Sequence, residues 1–286
     1  MRRLGTLYRG AAADLALARR RYAADPVVGR LEALVGRARH LVYDAESRRG
    51  SVPGFFARDY WRLVRERPVL LALAWALLLG PAVLAGGWAL GDPAAASGLV
   101  PGAYQSVTQP RQAGQDLGLT ADEETVLSSQ IFVNNIRVSF VGFAAGIAAG
   151  LGTAFVLVTN GVLLGTVFGL AIGAGNGVPL VELVFAHGVL ELSCIAVTAA
   201  AGLRLGWALV DPGQARRSDA IVAQARPAVL IVLGTAPWLV LAGLVEGFIT
   251  PAGLGLGPVL VIGGALGIVY WALVLWRGAT PETLRD

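Results

Sequence analysis

Six apolar stretches, at residues 69–90, 131–157, 160–178, 181–209, 228–248 and 257–276, set the pattern of this 286-residue chain. As helices rising about 1.5 Å per residue, each reaches across roughly 30 Å of hydrocarbon. Turn signals punctuate them at Asp92-Pro93, Thr159-Asn160-Gly161, Gly175-Asn176-Gly177, Asp211-Pro212-Gly213 and Thr250-Pro251-Ala252-Gly253. The pattern predicts an all-α polytopic membrane protein with about six transmembrane helices. Before the first stretch the period changes to that of amphipathic helices. Leu7, Ala11, Leu15, Ala18 and Tyr22 form one stripe and Val28, Leu31, Val35, Ala38 and Val42 another, with Asp25-Pro26 between them. A third piece, "FFARDYWRLVRER", is expected on the membrane surface, where aromatic and arginine side chains suit the headgroup zone. Residues 1–68 therefore read as a helical arm, and residues 69–286 as a six-span domain with a loop at 92–130.

Composition agrees with a membrane protein. Apolar residues make up 55% of the chain, charged residues 15%, and the mean hydropathy is +0.64. Charge then orients the spans. All 23 basic residues are arginine; residues 1–68 hold 15 of them against seven acids. Arg216, Arg217 and Arg226 mark the 211–227 loop and Arg277 and Arg285 the carboxyl end, whereas the 92–130 loop has Arg111 against five acids. Cytoplasmic loops carry the positive excess, so the arm and both termini are expected in the cytoplasm and the 92–130 loop outside the cell membrane. No short apolar segment follows Met-Arg-Arg, so no cleavable signal peptide is expected. The arm's arginines alternate with acids, and topology accounts for them without a nucleic-acid partner. Within the outer loop, "TADEE" has the form of a capping box, Thr120 as N-cap and Glu123 at N3, opening a helix that runs into the second span.

Glycines recur at helical spacing. Gly161, Gly165, Gly169 and Gly173 line one face of the third span, and Gly142, Gly146 and Gly150 one face of the second. In lipid, small residues at this interval let backbones approach closely. They point to packing of spans two and three against each other or to a homodimer seam, and so to a homo-oligomer.

Ionisable groups inside apolar spans cost roughly 2.5–3.5 kcal/mol on insertion scales and are candidate sites for that reason. "HGVLEL" puts His187 and Glu191 four residues apart, on one helix face, with Glu191 near mid-membrane. Asn134, Asn135 and Arg137 fall near the outer end of span two, Glu182 at that of span four and Glu246 at that of span five; Asn160 and Arg204 lie toward the inner side, where Arg204 can snorkel. Two readings stay open. Either these groups satisfy one another and lock the bundle, or they line a cavity open to the outside that binds a proton, a cation or a polar ligand. Catalysis is disfavoured. The only histidines are His40 and His187, too few for a His-Glu-x-x-His zinc site, and His187 has no serine in an elbow motif. A lone cysteine, Cys194, excludes a disulfide, and no metal or cofactor is expected.

The stretches "FVNNIRVSFVGFAAGIAAGLGTAFVLVTNGVLLG" (132–165) and "FAHGVLELSCIAVTAAAGLRLGWAL" (185–209) resemble the stage II sporulation protein M family. The arm segments "LYRGAAADLALARRRY" and "LVGRARHLVYDA" are similar to the longer, actinobacterial-type members. The resemblance assigns signature positions to Asn134, Asn135, Asn160, Gly161, His187, Gly188 and Glu191. It implies a multi-pass scaffold without catalysis, one that anchors cell-wall-degrading enzymes in sporulating bacteria. The leading expectation is thus a non-enzymatic membrane scaffold with an extracytoplasmic partner. The alternative is a channel or a proton- or cation-coupled transporter using His187 and Glu191.

Overall fold

A computed structural model describes residues 2–22, 25–43, 51–109 and 120–279. Among these no strand occurs, and the chain is an all-α polytopic membrane protein. It divides into two compact units, Met1–Gly54 and Phe55–Asp286. In the first, α1 (Arg2–Arg21) and α2 (Pro26–Tyr43) pair beside the Asp25-Pro26 turn, and the Arg19 guanidinium meets Glu32 at 2.6 Å.

The second unit opens with "FFARDYWRLVRER", which leaves Phe56, Arg58, Arg62 and Arg65 exposed and packs its other face into the protein. Residues 55–59 form a wide helical turn leading into α3 (Tyr60–Arg65), and both Tyr60 and Trp61 are buried. The reason is a polar and aromatic socket. The Tyr60 hydroxyl bonds Thr235 Oγ1 at 3.0 Å and the Tyr270 hydroxyl at 2.6 Å, while Trp61 stacks edge-on against Trp238 and Tyr270. Burial raises the Tyr60 phenol above its ordinary pKa, so it stays a neutral hydrogen-bonding group.

The remaining long helices are α4 (Pro68–Gly91), α5 (Ala121–Ala144), α6 (Leu151–Gly173), α7 (Gly177–Val210), α8 (Arg217–Phe248) and α9 (Leu256–Arg277). Five of them, α4 and α6 to α9, are long and apolar enough to cross a membrane. The sixth, α5, opens at the expected capping box: Thr120 Oγ1 accepts from the Glu123 amide and Glu123 accepts from the Thr120 amide at 2.8 Å.

One boundary differs from expectation. Thr159-Asn160-Gly161 is no turn but the middle of α6; the chain reverses instead at Ala148–Gly150, where Ala149 (φ 53°) and Gly150 (φ 80°) are left-handed. Asn-Gly is a turn signal in water, but here each residue has a helical use. Thr159 returns its hydroxyl to the Phe155 carbonyl at 2.8 Å, Asn160 lines a cavity, and Gly161 admits a neighbouring backbone. The Ala-Ala-Gly that does turn carries no polarity to announce it.

The glycine stripes also have other partners than expected. A Cβ at Gly161, Gly165 or Gly169 would run into the carbonyl oxygens of Leu78, Ala82 and Gly86, so the stripe of α6 faces α4. A Cβ at Gly146 or Gly150 points at α7, at Gly202 and at Leu203 with Gly206, and one at Gly142 meets Val156 of α6 at 3.6 Å. Only Gly173 is loosely packed, 3.8 Å from Leu90. Each step of four on α6 matches a step of four on α4, so the two run parallel. Gly146 with Gly202 and Gly150 with Gly206 show the same for α5 and α7. Parallel neighbours meet because the antiparallel hairpin partner occupies a different face.

Candidate functional site

Glu191 lies about 21 Å from the start of α7, near the middle of its 34 residues. Here α5, α6 and α7 enclose a cavity of about 330 Å3. Its polar lining is Asn134 and Asn135 from α5, Asn160 from α6, and His187 and Glu191 from α7; leucines, valines and phenylalanines of α6 and α7, with Ile131 of α5, form most of the rest. From Leu180 to Leu192 the α7 wall is about 18 Å long, so the cavity runs from near the helix start to mid-depth. Tyr104, from the single turn Gly102–Tyr104 in the α4–α5 connection, joins the lining. Partial burial raises its phenol above the ordinary value, which leaves a neutral hydroxyl there.

His187 and Glu191 share a helix face but do not bond each other. Each is held by a different element. Asn135 donates its side-chain amide to Glu191 Oε2 in a short hydrogen bond. His187 Nδ1 is 3.4 Å from Thr250 Oγ1, and that hydroxyl also reaches the Leu183 carbonyl at 3.5 Å. A carbonyl only accepts, so when the hydroxyl donates to Leu183 the Thr250 oxygen is open to Nδ1–H, the tautomer that leaves His187 Nε2 as a lone-pair acceptor. Nε2 and Glu191 Oε1 are both buried without a hydrogen-bond partner. Glu246, buried on α8 one turn before Thr250, also has two carboxylate oxygens without a partner among the described residues. The groups therefore do not satisfy one another in full. Leaving such atoms unmet costs about 1–3 kcal/mol each, a cost that a ligand or proton would relieve.

Asn134, Asn135, Asn160, His187 and Glu191 thus come together, while three other predicted members do not. Glu182 is half-buried in the second turn of α7 and does not line the cavity, nor does the buried Glu246. Arg137 is exposed on the far side of α5 and makes no hydrogen bond or ion pair with any described residue. Arg204 is buried, not free to snorkel, because Glu66 at 2.9 Å and Gln224 at 2.6 Å hold it. Thr250, which orients His187, escaped sequence reading because it stood inside a turn signal. Among the described residues no cluster of histidine, cysteine and carboxylate side chains can hold a metal ion.

The outward face of α5 is a second feature. Val126, Ser129, Gln130, Val133, Asn134 and Arg137 follow helical spacing and line a shallow groove that the other described residues leave open. The constant α5–α7 register, Asn135 beside Glu191 and Gly146 beside Gly202, puts Arg137 level with Ser193, midway along α7.

A family model described as Stage II sporulation protein M matches residues 73–251, and one described as Domain of unknown function (DUF8413) matches residues 1–44. No curated protein and no solved structure matches.

Proposed function

Because the chain belongs to the stage II sporulation protein M family, we propose that it is a non-enzymatic membrane scaffold that holds a partner's transmembrane helix against α5. The observation that carries this reading is the groove containing Arg137. A guanidinium facing lipid at mid-depth is costly, and headgroups lie about 15 Å away in either direction, beyond the reach of one arginine side chain. A partner helix with a carboxylate or a free carbonyl at that depth removes the cost, and Ser129 and Gln130 add hydrogen bonds nearer the start of α5. A second copy fits this face poorly. A two-fold contact brings two Arg137 side chains together, and Glu191 and Glu246 are buried.

With six spans and the arm inside, the partner's working part stands outside the cell, as for a cell-wall enzyme. The arm's arginines then meet the cytoplasmic face of the membrane. A photo-crosslinking residue at Val133, compared with one at Phe155 of α6, tests the proposal in native membranes. Val133 should yield a discrete protein adduct that Arg137→Leu abolishes, and Phe155 should label lipid alone. An adduct that survives Arg137→Leu, or none at all, contradicts it. The transporter reading draws support from the cavity around His187 and Glu191; proton flux in liposomes that Glu191→Gln leaves unchanged counts against it.

A further inference from the structure

Docking on α5 shares only Asn134 with the cavity between α5, α6 and α7 and leaves the rest of it unused. Its polar end sets the acceptors of Glu191 and His187 beside the side-chain amides of Asn134 and Asn160. Glu191 Oε1 has no partner, His187 Nε2 is a lone pair once Nδ1–H is given to Thr250, and the Asn135 amide is already spent on Glu191 Oε2, leaving its oxygen. Among the described residues no arginine lines the space. The walls from Leu180 to Leu192 on α7, and Leu163, Leu164, Val167 and Phe168 on α6, are apolar. At about 330 Å3 the cavity falls at the small end of ligand sites, which run from roughly 300 to 1,000 Å3.

We infer that this cavity is a binding site for a small amphiphilic amine, its ammonium donating to Glu191 and His187 at mid-depth and its apolar body lying along α6 and α7. An ammonium group has three donors and no acceptor, the complement of the Glu191 carboxylate and its neighbours His187 and Asn135, and the carbonyl oxygens of Asn134 and Asn160 can also accept from it. An anionic head meets Glu191 and no counter-charge. A neutral alcohol has one proton to donate where two acceptors wait, and it brings no charge to balance the carboxylate in a region of low dielectric.

Dodecylammonium, dodecanol and dodecyl phosphate serve as probes for saturable binding to the full chain in nanodiscs, followed by native mass spectrometry and by thermal shift. Dodecylammonium should bind in one-to-one ratio, with dodecanol at least tenfold weaker and dodecyl phosphate not binding above the empty-disc background. Glu191→Gln should weaken the amine at least tenfold. Leu164→Trp, which fills the cavity without touching its polar end, should abolish binding while the protein keeps its helix content; Arg137→Leu should leave binding unchanged. Equal binding of the phosphate or the alcohol overturns the inference, as does amine binding that persists undiminished in Glu191→Gln or Leu164→Trp. Loss of amine binding in Arg137→Leu overturns the separation of this site from the docking face.

Discussion

The helices α5 and α6 are almost the same length, 24 and 23 residues, and both carry glycines, yet they meet their surroundings in opposite ways. On α6 the glycines face α4, the polar Asn160 faces the cavity, and the outward residues Leu151, Phe155 and Ile172 are apolar. On α5 polar groups point both ways: Asn135 inward to Glu191, and Ser129, Gln130 and Arg137 outward. A span finished by its own chain shows lipid an apolar face. One that shows Arg137 does not, and it is this difference, not the glycine pattern, on which the proposed docking of a partner at α5 rests.

The largest expected effect lies on the finished side. Gly165→Val would drive a side chain into the Ala82 carbonyl and separate α4 from α6, so detergent-solubilised protein should lose its folded fraction. Gly80→Ala is the control. A Cβ there meets nothing within 4 Å, and its melting temperature should stay that of the parent.

Next in size is the inward side of α5. Asn135→Leu strips Glu191 of its hydrogen bond and should cost about 1–3 kcal/mol in denaturant titration. Pairing it with Glu191→Gln should recover part of the loss, because a neutral amide tolerates burial better than a carboxylate; no recovery would mean that Asn135 acts through packing instead. Arg137→Leu reverses the sign. In detergent or pure lipid it should leave stability equal or slightly raised, since no described residue pairs with Arg137.

The smallest effect is at the start of α5. The Thr120 amide and hydroxyl bond Glu123 and hold its carboxyl below the ordinary carboxylate value. A depressed folded pKa means that the contribution is fully present above the unfolded value of about 4.3 and is lost as pH falls through the lower folded value. Protection of the first-turn amides, taken relative to the intrinsic exchange rate at each pH, should therefore fall at pH 3 relative to pH 6, and Thr120→Ala should remove most of that pH dependence.

Much of this was legible in the chain. Apolar length announced the spans, and the Thr120 and Glu123 pair announced where α5 begins. His187 and Glu191 stood out because ionisable groups are rare in such helices. The Asn160-Gly161 turn was misread because the same dipeptide reverses a chain in water and lets helices touch in lipid; only the α4 carbonyls beyond Gly161 distinguish the two. Arg137 was grouped with the cavity residues by its nearness in sequence to Asn135. Two residues on a helix differ by about 200° in direction, and that rotation carries it to the opposite face. Tyr60 and Trp61 looked interfacial by composition, and nothing local revealed the Thr235, Trp238 and Tyr270 socket far along the chain.

The most direct test of the contrast between the two helices is the lipid exposure of their outward faces in the native membrane. Spin labels at position 133 of α5 and position 155 of α6 report it through relaxation by dissolved oxygen. The account predicts a shielded label at 133 and a lipid-exposed label at 155, with 133 becoming exposed in protein purified away from its partners. Two labels equally exposed in native membranes would contradict it.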